Sequence, residues 1–183
     1  MKQVRDFSGV LVTALAAMLA TPTFGDEPNL SVNLSGYEET PATINSAGSA
    51  EFSAKISKDG TTIMYQETYS DLSSPVLQSH IHFGRPGLTG GIVLFLCTNL
   101  GNAPATVPTP QTCPPFPATI SGTLTAADVI PIPNQGIDTG ATGFAEMLQA
   151  IRSGAAYVNV HTTLHPSGEI RAVLRGQGDE QDN

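Results

Sequence analysis

The chain has 183 residues, with 8 Lys and Arg against 16 Asp and Glu, a net charge of −8, four histidines and two cysteines. So acidic a sequence, with no basic run, excludes a nucleic-acid binder that works by neutralising phosphates. Its length suits one domain built on one hydrophobic core.

In chain order, Lys2 and Arg5 precede an apolar run from Val10 to Ala20, then Thr23-Phe24-Gly25 and the acidic pair Asp26-Glu27. This reads as a cleaved secretory signal over residues 1–25. The run is shorter than the ~20 residues of an ordinary membrane span, and no cysteine near the cut could take a lipid. The expected product is secreted or periplasmic, without stable membrane insertion after cleavage; an uncleaved anchor is the other reading. Cleavage leaves 158 residues and, with Lys2, Arg5 and Asp6 gone, moves the net charge from −8 to −9.

Leu30, Val32 and Leu34 alternate with Ser31 and Asn33, and Ala50, Phe52, Ala54 and Ile56 with Glu51, Ser53 and Lys55. Both segments read as strands with one buried face. Lys58-Asp59-Gly60 supplies turn chemistry before Thr62 to Tyr69, which completes a hairpin. Strands are expected from Leu77 to Phe83 and Ile92 to Cys97, joined by a bend through Gly84, Gly87, Gly90 and Gly91. Cys97 and Cys113 bracket a loop containing Pro104, Pro108 and Pro110, and after export a disulfide closing it is the natural reading. Two helices are expected, a brief one over Leu124 to Ile130 and an amphipathic one over Gly143 to Ser153, where Phe144, Met147, Leu148 and Ile151 form an apolar stripe. Tyr157 to Thr163, a turn at Pro166-Ser167-Gly168, and Glu169 to Leu174 read as a closing hairpin. Residues 26–177 form the domain, and the acidic tail, residues 178–183, is expected to be disordered.

Three of the histidines fall in strand patterns. In Ser79-His80-Ile81-His82, alternate residues share a face, so His80 and His82 point together while Ser79 and Ile81 point away. In Tyr157-Val158-Asn159-Val160-His161, the same rule sets Asn159 and His161 opposite the two valines. If these strands are neighbours, three imidazoles converge, a geometry that suits Zn²⁺ or Cu²⁺ with His165, a carboxylate or water in a fourth position. Glu38, Glu39 and Asn159 are candidate ligands or groups that orient a ring. The alternative is structural, with the histidines held by backbone carbonyls, Tyr157 or Glu169. Glu169 and Arg171 are expected to form a surface ion pair of little energetic weight, or Arg171 to anchor near the histidine face.

Taken in order, Leu34-Ser35-Gly36-Tyr37-Glu38-Glu39-Thr40-Pro41, Ser79-His80-Ile81-His82-Phe83-Gly84 with Gly90-Gly91-Ile92-Val93, Tyr157 to Thr162, and Pro166-Ser167-Gly168-Glu169-Ile170-Arg171 resemble the chordin-type (CHRD) domain, a module of chordin and of many secreted bacterial proteins. The resemblance runs from about Asn29 to Gly176 and implies an all-β, immunoglobulin-like sandwich or barrel. It leaves activity undefined. His165 stands where the family carries a small or amide residue, and Ala172 where a glycine follows the arginine, so His165 is not inherited as a ligand.

Four histidines exclude the dinuclear centre of copper-zinc superoxide dismutase, which needs six; a mononuclear copper redox centre is the remaining catalytic option. Hydrolysis lacks a nucleophile elbow. The expected function is therefore non-enzymatic: an extracytoplasmic binding module holding copper or zinc at His80, His82 and His161. Alternatively, it is a module for an extracellular protein or matrix partner, recognised through the loops Gly84 to Gly91 and Thr98 to Pro117. The expected chain is monomeric or weakly associating.

Overall fold

A computed structural model describes residues 30–175; the expected signal peptide and acidic tail lie outside them. Eight strands, β1 (Leu30–Ser35), β2 (Ser49–Ile56), β3 (Ile63–Ser70), β4 (Val76–Phe83), β5 (Gly91–Thr98), β6 (Ala118–Leu124), β7 (Ala156–Thr162) and β8 (Ile170–Leu174), form one antiparallel sheet, with one helix, α1 (Gly140–Arg152), and three short 3-10 turns. The spatial order is β5-β4-β7-β8-β1-β2-β3-β6. The sheet curls until it is nearly a closed barrel, in keeping with the all-β sandwich or barrel expected. Phe52, Ile63, Tyr69, Ile81, Leu94, Leu96, Val158, Val160 and Ile170 form its core, and Phe144, Met147, Leu148 and Ile151 of α1 join them.

The helix expected at Leu124 to Ile130 is corrected. Residues 118–124 are the strand β6, after which the chain makes a single 3-10 turn, Ala126–Asp128, held by a capping box in which Thr125 and Asp128 satisfy each other's backbone amides. The strand was hidden by Gly122, which interrupts the alternation. Opposite it in the ladder lies Tyr65, whose ring would meet a Cβ at 2.8 Å. The glycine is a seat for that aromatic ring.

The sheet's two ends, β5 and β6, come face to face without a ladder between them. One side chain from the loop 99–117 spans the seam: Gln111 Nε2 donates to Leu96 O of β5 (3.2 Å) and to Ser121 O of β6 (3.1 Å). It also donates to the Tyr65 hydroxyl (2.8 Å), which in turn donates to Leu96 O (2.9 Å). A Cys97–Cys113 disulfide closes this loop, with the Cα atoms 5.1 Å apart and the cysteines 16 residues apart in sequence. A loop of that size contributes about 3 kcal/mol by the chain-entropy argument. Replacing both cysteines with alanine is expected to lower the stability by about that amount in urea unfolding, with the barrel retained.

Candidate metal centre

β4 and β7 are neighbours, with His80 opposite Asn159, His82 opposite Tyr157 and Gln78 opposite His161. The strand period therefore sends His80, His82, Tyr157, Asn159 and His161 to the outer face. Ile81, Val158 and Val160 enter the core on the other face. Ser79 goes with them, and its hydroxyl donates to Glu67 Oε1 of β3 at 3.0 Å inside the barrel. On the outer face the His80 ring lies 4.5 Å from both His82 and His161, which are 6.2 Å from each other, centroid to centroid. One ring nitrogen from each of the three histidines lies within 4.8 Å of the others. Register shifts in the β4–β5 ladder on either side of His80 and Ile81 help to aim these side chains.

This outer face is covered, so all three histidines are buried. The segment after β1 lies over one side, where Asn159 Nδ2 donates to Glu39 Oε1 (2.5 Å) and Arg171 to Thr40 Oγ1. The loop 84–90 lies over another. Its Gly90 N–H donates to the Tyr157 hydroxyl (2.9 Å), and its Gly90 carbonyl accepts from His82 Nδ1 (2.9 Å). A Cβ at Gly90 would fall 1.9 Å from Phe83 O, so only glycine lets the loop come close enough to bring that carbonyl down. The β7–β8 turn closes the third side, where Pro166 O accepts from His161 Nδ1 at 3.0 Å.

A carbonyl only accepts, so in His82 and His161 the proton sits on Nδ1 and Nε2 presents a lone pair. Neither of those Nε2 atoms, nor either nitrogen of His80, has a hydrogen-bond partner among the described residues. Burial pushes the His82 pKa down to about 4 against the pull of the Gly90 carbonyl, and it lowers His161 despite Pro166. His80 falls well below the usual histidine range, first by burial and then by its two histidine neighbours. The three rings are thus neutral, the state in which imidazole ligates a metal.

Each neutral ring thus offers one buried lone pair to the cluster; unsatisfied buried polar groups are costly, and one cation would take up all three lone pairs. Tetrahedral zinc, with Zn–N bonds of ~2.0–2.1 Å, holds its ligand atoms about 3.4 Å apart, so the cluster closes on an ion by a modest contraction. His80 has no ring hydrogen bond among the described residues and packs edge-on against Phe95. The Nδ1–H bonds of His82 and His161 are the outer contacts that fix a ligand ring. The residues present therefore fit a three-histidine site.

The remaining sequence candidates are placed differently. His165 lies half-buried in the β7–β8 turn, where its backbone oxygen accepts from Thr162 N (3.2 Å) and Gly168 N (3.0 Å); it is not in the cluster. Glu38 is exposed. Glu39 is buried, its pKa raised to about 7 by desolvation against the pull of Asn159 and Arg171. The expected surface ion pair of Glu169 and Arg171 is corrected: they are 0 % and 2 % exposed and serve different partners. Glu169 accepts from Ser46, Ser73 and Thr162, tying the covering segment to the barrel end. Arg171 stands beside the histidines, as the alternative reading had it, with its guanidinium carbon 3.4 Å from the Tyr157 ring centroid. The Tyr157 ring lies parallel to His82 (4.5 Å, 7°). Sequence reasoning passed over Thr40 and the role of Gly90, since neither lies in a periodic pattern.

A family model for the CHRD domain matches residues 30–174. The chain belongs to the CHRD domain family. No curated protein and no solved structure matches it. The match begins and ends with the barrel, from β1 to β8, so the CHRD domain includes all three histidines and both covering segments. No helix among the described residues is long and apolar enough to cross a membrane.

Proposed function

We propose that this CHRD domain is an exported binding module that holds one copper or zinc ion through His80, His82 and His161. The observation that carries this reading is one buried cluster of three imidazoles, each with a ring nitrogen that has no hydrogen-bond partner among the described residues. Three neutral nitrogen ligands suit either ion, and an oxidising destination accords with the paired cysteines. The fourth position falls to water or an incoming ligand. Binding, rather than catalysis, is the function proposed: the Ser79 hydroxyl is turned away from the cluster and taken up by Glu67.

The test is metal content by mass spectrometry of protein exported and purified without a histidine tag, followed by Zn²⁺ and Cu²⁺ titration. One ion per chain is expected in the wild type. The His80→Ala, His161→Ala double variant should lose it while keeping its far-UV spectrum. An empty wild type that binds neither ion better than the variant would remove the metal reading.

The second reading is recognition of an extracellular protein through the loops 84–90 and 99–117. It is favoured by Leu88 and Leu100, each 49 % exposed at those loops, where an apolar side chain is available to a partner. Partner capture that survives the histidine changes and fails on Leu88→Ser, Leu100→Ser would select it.

A further inference from the structure

Arg171 is a buried arginine whose hydrogen bonds go to the two segments covering the histidine cluster and whose guanidinium lies over Tyr157. Its Nη1 donates to Thr40 Oγ1 and its Nη2 to Leu88 O (2.8 Å), so one guanidinium is bonded to both segments that cover the site. Its flat face lies on the Tyr157 ring, and the far face of that ring lies parallel on His82. Guanidinium, phenol and imidazole form a three-layer stack, and the imidazole is the ligand ring whose Nδ1 is bonded to Gly90 O. Gly90 and Leu88 belong to the same loop, and the Tyr157 hydroxyl accepts from Gly90 N. His82 is therefore held by two routes, through its stacked face and through its Nδ1–H bond, and both pass through contacts that Arg171 makes.

Building on the metal reading, we infer that Arg171 is a positioning residue for the site: it fixes the plane of the His82 ring through Tyr157 and holds both covers shut over the ion. A planar cation suits the task, because a guanidinium offers separate donors at fixed angles together with a flat face for stacking. Lysine carries the charge without that shape. Thr40 lies on the covering segment whose neighbour Glu39 is bonded to Asn159, so releasing Arg171 loosens that cover as well.

The experiment compares wild type with Arg171→Met and Arg171→Lys, and with Arg152→Met as an exposed control. In the metal-free proteins, hydrogen exchange of the Gly90 amide and the His82 ring N–H is measured by NMR. In proteins loaded with Co²⁺ as the spectroscopic probe, the visible spectrum and the rate of metal loss to a chelator are measured. Arg171→Met is expected to speed exchange at both groups, to shift the Co²⁺ bands and to weaken binding by about 10- to 100-fold, the usual cost of losing an outer contact to a ligand. Arg171→Lys should recover less than half of this loss, and Arg152→Met should match wild type. Unchanged exchange and an unchanged Co²⁺ spectrum in a folded Arg171→Met protein would overturn the inference, as would full recovery by lysine. If the wild type takes up no metal, the parent reading fails, and the exchange rates alone decide whether Arg171 positions His82. Should Arg171→Met not fold, Arg171→Gln, which keeps an amide donor but not the two-armed cation, takes its place with the same readouts and the same outcomes.

Discussion

A Glu67→Gln variant should gain on the wild type in stability as the pH rises from 5 to 8. Glu67 is wholly buried on the inner face of β3, where Ser79 donates to Oε1 and Oε2 has no hydrogen-bond partner among the described residues. Desolvation raises its pKa to about 8, and the bond from Ser79 lowers it only in part. In the unfolded chain the group titrates at its ordinary value, near 4.5. Folding therefore takes up a proton between these two values. The stability that the neutral carboxyl provides is complete below about pH 4.5, falls as pH rises and is lost once pH passes about 8. Glutamine keeps an acceptor for Ser79 and has nothing to titrate. Between pH 5 and 8, the gap between the variant and the wild type should widen by about 3–5 kcal/mol in the variant's favour. For a domain of this size that is about 10 °C in Tm. Using the change in the gap cancels any fixed cost of burying the amide. It also cancels the titration of Glu39 and the histidines, which both proteins share. Calorimetry at pH 5, 6.5 and 8 checks it, and parallel pH profiles would show that Glu67 is already satisfied in solution.

The second large effect concerns the ion. Metal that binds the folded protein and not the unfolded chain stabilises by about 2.7 kcal/mol at a free concentration 100 times Kd. A Tm rise of roughly 5–10 °C with Zn²⁺ is expected, reversed by a chelator and missing in the His80→Ala, His161→Ala variant. The metal-free protein has an opposite acid dependence. Its histidine pKa values are depressed in the fold, with His82 down to about 4. The stability that rests on neutral rings is present above the ordinary histidine value of about 6.5 and is lost as pH falls toward the folded values. The histidine contribution of the apo protein should thus weaken between pH 6.5 and 4, and added Zn²⁺ should counter that at the upper end of the range. Differential scanning fluorimetry across pH, with and without metal, reads both effects. A Tm indifferent to Zn²⁺ in the wild type would argue against the site.

Strand period made the convergence of the histidines legible: His80, His82 and His161 needed only adjacent strands, and β4 and β7 are adjacent. The burial of that face was not legible. Its covers are a segment around Glu39 and Thr40 and a glycine-rich loop, and neither carries a hydrophobic repeat that would announce packing. For Arg171 only the alternative reading, an anchor near the histidine face, agrees with the structure, since an arginine beside a glutamate on a terminal strand usually faces water and this one lies under two loops. Glu67 did leave a signal: it alternates with Ile63, Tyr65 and Tyr69, all buried, and the period alone puts its carboxyl in the core. β6 escaped because Gly122 carries no side chain to register with Ile120 and Leu124, and the partner that explains it, Tyr65, lies 57 residues earlier in the sequence.

Gln111 has a consequence beyond stability. Curling brings the sheet's two end strands toward one another, and the Gln111 amide bridges them from a loop that the disulfide closes. An exposed strand edge is a template for another chain. Here a carbonyl of each end strand, Leu96 O and Ser121 O, is already taken up by Gln111. Reduction would free the loop that carries this amide, so the reduced protein is expected to associate more readily than the oxidised one, a difference that light scattering would read.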